Sequence, residues 1–484
     1  MGPELPTERP RPVGSRLLRT GSLYAFASLI QRGAAFILIP VYSRYLSPSQ
    51  FGVVHLSEAV ASVVGTIAVF GLPPALGRIY FQNTEGTDEH KTSVSAVVQL
   101  SLGLSVGFGT LCIVLGPYAM QLVPRFSVAF HPYLSIAIIA AICLQILNVP
   151  LTIARSQERA GKYVALSLSY FGISTAGILV LVVAIPGGSY GMLLARAIAA
   201  AIMAAIGIYL VREWLFSKTT RSAASDALRL ALPLVPHQLV AFVLGAGNRF
   251  FIEYYHSTEQ VGLYSMAHSV GMAMSVVTAT LMMAWTPVFF QKAKQGGESL
   301  KSLGDLSGAM IGGLIVIAGI GCCFGPIAVR YLLDARYAPS SQAVALVIGG
   351  YLFHGLFSLF QLAVMQSGKT KLLAPVTALA ALGSLAANFI LVPKFGFMGS
   401  AWGTLVAYVV EAVLVFVLAQ RLFKVPYPMH RIAMWLLGFA VVLAASQMDF
   451  GQIGSVLVGS VCLTVLIIAV GFGARQYIRK LWVS

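Results

Sequence analysis

Three arginines, Arg32, Arg196 and Arg249, stand inside stretches that are otherwise apolar. A guanidinium in such a place either pairs with a carboxylate or grips an anion through paired hydrogen bonds. Comparable stretches hold Gln31, His55, Glu58, His237, Gln238, Asn248, His268, Tyr351, His354, Ser358, Gln361 and Glu411. His55 and Glu58 are three apart and share a helical face. Tyr351, His354, Ser358 and Gln361 keep a 3-4-3 spacing, which draws one polar stripe down a helix. Cations outnumber acids in this set, so its chemistry is the holding of a negatively charged group. The candidate binding residues are Arg32, Arg249, Gln31, Arg196, His55, His268, His354, Tyr351 and Gln361. Glu58 and Glu411 are candidates for coupling to a proton or sodium ion.

Each residue also has a plainer reading. Arg32 and Glu58 would pair and lock two helices. Arg249 would snorkel to an interface. Arg196 would serve packing, and His237, after Pro233 and Pro236, would satisfy carbonyls freed by a kink. The stripe lines a cavity or glues helices together. Glu411 stands without an evident partner.

The elements that position these groups are membrane helices. Of 484 residues, 58% are hydrophobic and 10% charged, against about 25% charged in a soluble domain. Apolar stretches long enough to cross roughly 30 Å of hydrocarbon recur from end to end, and they are solid rather than alternating, so they predict helices and not a barrel. About fourteen are expected, at roughly 22–43, 50–72, 93–116, 131–151, 163–185, 190–211, 229–252, 260–286, 304–326, 339–361, 372–392, 397–420, 430–448 and 453–474. The net charge of +16 is sorted by side. Arg44, Arg125, Arg330, Arg336 and Lys394 fall on the odd connections, while the tails and the even connections hold nearly all the rest. The positive-inside rule then puts both termini in the cytoplasm of a bacterial inner membrane. The charge faces an anionic leaflet, and nucleic acid is not needed to explain it.

The chain also repeats. Tyr45, Ser47, Gln50 and Gly52 recur as Tyr255, Ser257, Gln260 and Gly262 at an offset of 210, and Gly161-Lys162 recurs as Gly368-Lys369. At that offset Glu58 falls opposite His268. Two six-helix units of parallel orientation follow: a tail (1–20), a first lobe (21–212), a linker (213–228), a second lobe (229–422), an added helix pair (429–474) and a second tail (475–484). Gly103/Gly107 and Gly399/Gly403 offer small faces for close packing.

The one P-loop look-alike, Gly368-Lys369-Thr370, lacks its first glycine because position 363 is Ala363. The five cysteines lie in apolar stretches and suggest neither a metal set nor disulfides. No cofactor and no catalytic residue are expected. Three rival readings remain: a cation-coupled drug or ion antiporter, a membrane polymerase or ligase of polysaccharide assembly, and a scaffold. Short connections count against the second.

The run from Leu23 to Tyr80, with Gln31-Arg32-Gly33, Ile39-Pro40, Arg44-Tyr45-Leu46-Ser47-Pro48, Phe51-Gly52 and Phe70-Gly71-Leu72, resembles the opening of Wzx-type oligosaccharide flippases. Leu232-Pro233-Leu234-Val235-Pro236-His237, Asn248-Arg249-Phe250-Phe251-Ile252 and Gly262-Leu263-Tyr264-Ser265 extend that resemblance. The family belongs to the MOP superfamily, with MATE exporters and the lipid II flippase as relatives. The resemblance implies V-shaped lobes around a cationic cavity and an undecaprenyl-pyrophosphate-linked oligosaccharide as substrate. It implies that Arg32 and Arg249 bind the pyrophosphate and sugar, that the last two helices help form a groove for the lipid tail, and that polymerase and chain-length or export proteins act alongside. Asn248 departs from the pattern, since many relatives have Asp there.

Overall fold

The computed structural model describes residues 13–123, 125–448 and 459–471. Within them the side chains of residues 13–22, 24–26 and 28, and those of Arg32 and His237, lie outside the described set. The described chain is helical: α1 Val13–Tyr45, α2 Pro48–Ala68, α3 Leu72–Tyr80, α4 Asp88–Gln121, α5 Ser135–Ser156, α6 Ala160–Ile178, α7 Gly188–Leu215, α8 Arg221–Ala231, α9 Leu234–Ala246, α10 Asn248–Tyr255, α11 Thr258–Gly271, α12 Ala273–Gln295, α13 Glu298–Leu332, α14 Ser341–Gln366, α15 Leu373–Leu422 and α16 Met429–Gln447. Ten are long and apolar enough to cross a membrane, or eleven with the bent pair α8 and α9. The fifty-residue α15 is two antiparallel helices. The chain reverses at Gly396 (φ +57), which brings Ser400 within 2.5 Å of Asn388. Gly399 and Gly403 serve that hairpin, whereas Gly103 and Gly107 meet open space. Of the expected last helix, Gly459–Gly471 is described. It packs with α16 against α13, where Trp435 Nε1 donates to Ala469 O at 3.3 Å. Part of the expected linker is the amphipathic helix α8, capped by Thr220 and buried through Ala227 and Ala231.

The repeat is legible in how the helices begin. Ser47 caps α2 by accepting from Gln50 N at 3.2 Å, and Gln50 Oε1 accepts from Ser47 N at 3.0 Å, a complete capping box. Ser257 caps α11 in the same way through Gln260 N, but Gln260 Oε1 accepts instead from Phe397 N at 3.0 Å. Gln50 abuts Gly188 and Gln260 abuts Gly396, both glycines at φ +57. Only glycine gives such backbone freely.

The two lobes meet at α2 and α11. A Cβ on Gly52 would overlap the Thr258 carbonyl, and one on Gly262 would overlap that of Pro48. Residues related by the repeat therefore touch backbone to backbone at the crossing. Two reciprocal latches flank it. Ser43, at the end of α1, accepts from Asp334 N at 3.2 Å; Tyr337 donates to Leu46 O at 3.1 Å and Arg336 to Arg44 O at 3.1 Å. Hydrogen bonds from Arg336 hold the Asp334 carboxyl below its usual range. In the second copy Glu253, at the end of α10, accepts from Ser127 N at 3.2 Å and from the Ser127 hydroxyl, with Thr258 completing the cluster. Glu253 follows Ser43 by 210 residues and Asp334 follows Ser127 by 207, so each lobe's long connection latches the other lobe's entry helix. Weakening one latch with Ser127→Ala removes one of the three donors to the buried Glu253 Oε1 and is expected to cost about 1 kcal/mol, read as a lowered Tm in detergent.

Candidate functional site

Below the crossing, the first lobe presents a charged wall. His55 and Glu58 sit on one face of α2, and Arg196 approaches from α7. Glu58 makes a salt bridge to Arg196 and lies 3.5 Å from His55 Nδ1. The His55 ring meets Phe51 edge-on at 4.4 Å. All three side chains stay partly exposed, at 18%, 33% and 24% for His55, Glu58 and Arg196. These mid-helix polar groups are therefore not sealed into the core. Glu58 thus takes Arg196 as partner, and the alternative pairing with Arg32 lies outside the described side chains.

The second lobe presents a different wall. Arg249, in the first turn of α10, is buried. Its Nε donates to Ser265 Oγ at 3.3 Å and its Nη1 to Gly245 O at 3.2 Å. It is no snorkelling anchor, and no carboxylate among the described residues pairs with it. Neutral oxygens satisfy some of its donors without cancelling its charge. His268, one turn beyond Ser265, is buried and shares a hydrogen bond of 3.1 Å with the Tyr351 hydroxyl. Because α2 packs against α9, α10 and α11, the two walls lie on either side of the seam.

Lower on α14 the stripe turns to a neighbour. His354 Nδ1 lies 3.1 Å from Glu411 Oε2 of α15, and Tyr408 covers the pair with rings 4.9 Å apart. Glu411 is 1% exposed and His354 39%. Glu411 is therefore partnered, contrary to its reading as a lone acid. Ser358 bonds back to His354 O, and Gln361 and Gln31 are half-buried. The Arg32 and His237 side chains lie outside the described set.

One cluster was missed from sequence. Asn248 donates to Tyr264 Oη at 2.7 Å and to Thr404 Oγ1 at 2.8 Å. Asn388 donates to Asn248 Oδ1 at 3.3 Å and to Ser384 O, and accepts from Ser400. All of these groups are neutral and buried. The network closes on itself and fixes the first turn of α10, and with it Arg249. The available signal was Ser400 and Thr404, four apart, opposite an asparagine inside an apolar run.

The Glu58–Arg196 pair yields a test. Glu58→Ala leaves a half-buried cation without its anion and is expected to lower stability by about 1–3 kcal/mol. Glu58→Ala with Arg196→Met is expected to recover most of that loss. Unfolding of the four proteins of the cycle checks it.

Comparison with known proteins agrees with this architecture. A glycan biosynthesis flippase of Haloferax volcanii, described as "Probable low-salt glycan biosynthesis flippase Agl15", is 21% identical over 476 residues, spanning 95% of this chain and 94% of its own. Lipid II flippase MurJ in an inward closed conformation superposes with a TM-score of 0.68 at 14% identity, over 95% of this chain and 99% of that one. An inward-facing multidrug resistance MATE family transporter of the MOP superfamily gives 0.62 at 15% identity, over 84% and 94%. These likenesses show the fold, an all-helical membrane architecture shared with those transporters. The family model described as "Polysaccharide biosynthesis protein" matches residues 17–292, more than half of the sequence. The chain is therefore a multi-pass membrane protein that belongs to the polysaccharide biosynthesis protein family.

Proposed function

We propose that this protein flips a lipid-linked oligosaccharide whose link is an anionic pyrophosphate, by alternating access between its lobes. The observation that carries the reading is Arg249: a buried guanidinium with no carboxylate partner among the described residues, on a helix that packs against the α2 of His55 and Glu58. Holding such a charge in a low-dielectric interior is costly, and an arriving pyrophosphate removes that cost while accepting paired hydrogen bonds. Arg249 is the primary anchor. His55 and His268 flank it, Gln31, Tyr351, His354 and Gln361 offer hydrogen bonds to sugar hydroxyls, and Arg32 joins the same cationic set. Arg196 enters when the head group competes for it with Glu58.

The proposed cycle starts with the latched end closed and the basic end open. The basic end is cytoplasmic, with both termini there, and the membrane is a bacterial inner membrane. The head group enters, the lobes rock, the latches part, and the head group leaves on the outer side while the undecaprenyl chain stays in lipid. No bond of the substrate is made or broken. The product feeds O-antigen, capsule or exopolysaccharide assembly, with a polymerase and chain-length or export proteins as partners. Glu58 and Glu411 remain the residues for coupling to a proton or sodium ion. A drug-cation antiporter needs a free acid in the cavity, whereas both of these acids are paired.

Proteoliposomes loaded with a fluorescent lipid-linked glycan test the reading. Flipping is expected with a pyrophosphate link and not with an uncharged ether link. Equal rates for both would end the proposal.

A further inference from the structure

On the latched end, across the seam, lies a cavity of about 400 Å³ that plays no part in the central site. The first lobe contributes Val123, Arg125 and Phe126 from the connection after α4. The second lobe contributes Phe250, Phe251, Glu253, Tyr254 and Tyr255 from α10, and Phe389 from α15. Its walls are aromatic, and Phe389 is 63% exposed on a row of α15 that continues with the exposed Leu382. The cavity therefore opens toward lipid, at a level where tyrosines gather as they do at membrane interfaces.

Two polar groups interrupt the apolar lining. Arg125 is exposed, holds its guanidinium 5.2 Å from the centre of the Tyr254 ring, and forms no salt bridge among the described residues. Glu253 is 4% exposed; its Oε1 is saturated by Ser127 and Thr258, while its Oε2 is buried without any donor. A buried carboxylate oxygen without a donor leaves a desolvation cost standing. One cation, one under-coordinated carboxylate and an aromatic trough match one ligand chemistry. It carries a phosphate for Arg125, an ammonium that donates to Glu253, and a hydrocarbon chain for the phenylalanines. Apolar cavities of this size with few polar groups are usual for small-molecule ligands.

We infer that this cavity is a binding site for a zwitterionic aminophospholipid of the bilayer, resident at the seam and distinct from the transported glycolipid. The walls of the cavity belong to opposite lobes and part when the latches part. The lipid then binds the latched state better than the open one, and by that difference it favours the latched state.

Native mass spectrometry of the full chain, stripped of lipid and titrated with single lipids, tests the site. The probes are diacyl phosphoethanolamine, diacyl phosphoglycerol, diacylglycerol and a lipid-linked glycan. One phosphoethanolamine lipid is expected to bind at least about tenfold tighter than diacylglycerol, as one charge-assisted contact implies. Arg125→Ala, at an exposed position, is expected to abolish that preference. Glu253→Gln is expected to abolish the preference for phosphoethanolamine over phosphoglycerol and to leave the dependence on Arg125. A phosphoethanolamine lipid with a photoreactive chain is expected to label Phe250, Phe251 or Phe389. Overturning outcomes are binding of all diacyl lipids alike, labelling no stronger than at the exposed Leu437 and Val441 of α16, or preferential filling by the lipid-linked glycan, which would assign the cavity to the substrate.

Discussion

Arg249→Ala is expected to lower the flipping rate of a pyrophosphate-linked substrate at least about 100-fold, because two hydrogen bonds to a charged group are each worth roughly 1.5–3 kcal/mol. The sign of the accompanying stability change separates this role from a structural one. A buried charge in a structural ion pair costs about 3–5 kcal/mol of stability when its partner is removed. Arg249 has no such partner, only Ser265 and the Gly245 carbonyl. Its removal is therefore expected to leave Tm unchanged or raise it. Arg249→Lys keeps the charge and loses the planar fork, so its rate is expected to fall between those of wild type and the alanine variant. Flipping in proteoliposomes and unfolding in detergent, on the same preparations, check both halves.

The second large effect is expected at the lobe crossing. Gly52→Leu places a side chain where the Thr258 carbonyl stands, and the obstacle is backbone that cannot rotate aside. The helices must separate, at a cost of about 1–3 kcal/mol or more. The latches bridge the same seam, so the latched state is depopulated by tenfold for each 1.4 kcal/mol or so. Spin labels at Leu122→Cys and Tyr331→Cys, exposed positions on opposite lobes near the latched end, are expected to move to longer separation. Flipping is expected to fall with it, because the cycle loses one of its end states. Gly262→Leu, at the repeat-related position, is expected to do the same by striking Pro48. An unchanged distance distribution in both variants would remove the crossing as a gate.

The membrane class and the all-helical fold were legible because they rest on patterns spread over many residues, whereas the expected helices 229–252 and 260–286 are broken, into α8, α9 and α10 and into α11 and α12. Hydrocarbon thickness sets stretch length, and the offset of 210 survives in residues with fixed local duties: the caps Ser47 and Ser257, and the glycines at the crossing. Pairing was less legible. Glu58 could reach toward Arg32, Arg196 or His268, and linear sequence does not rank partners on different helices. Glu411 looked alone because His354 lies 57 residues away on the facing helix. The latches were hidden for a related reason. Glu253 closes a helix beside Tyr254 and Tyr255, and its bond to Ser127 spans 126 residues. The neutral network around Asn248 left no charge signal at all.

The central claim concerns what the uncompensated charge at Arg249 recognises, and a binding cycle isolates it. Affinities of wild type and Arg249→Ala would be measured for two glycolipids with the same sugar and chain, one joined by pyrophosphate and one by an uncharged ether. The expected result is tighter binding of the pyrophosphate form by wild type, with the difference largely lost in the variant. A preference for pyrophosphate that survives intact in Arg249→Ala would contradict the account.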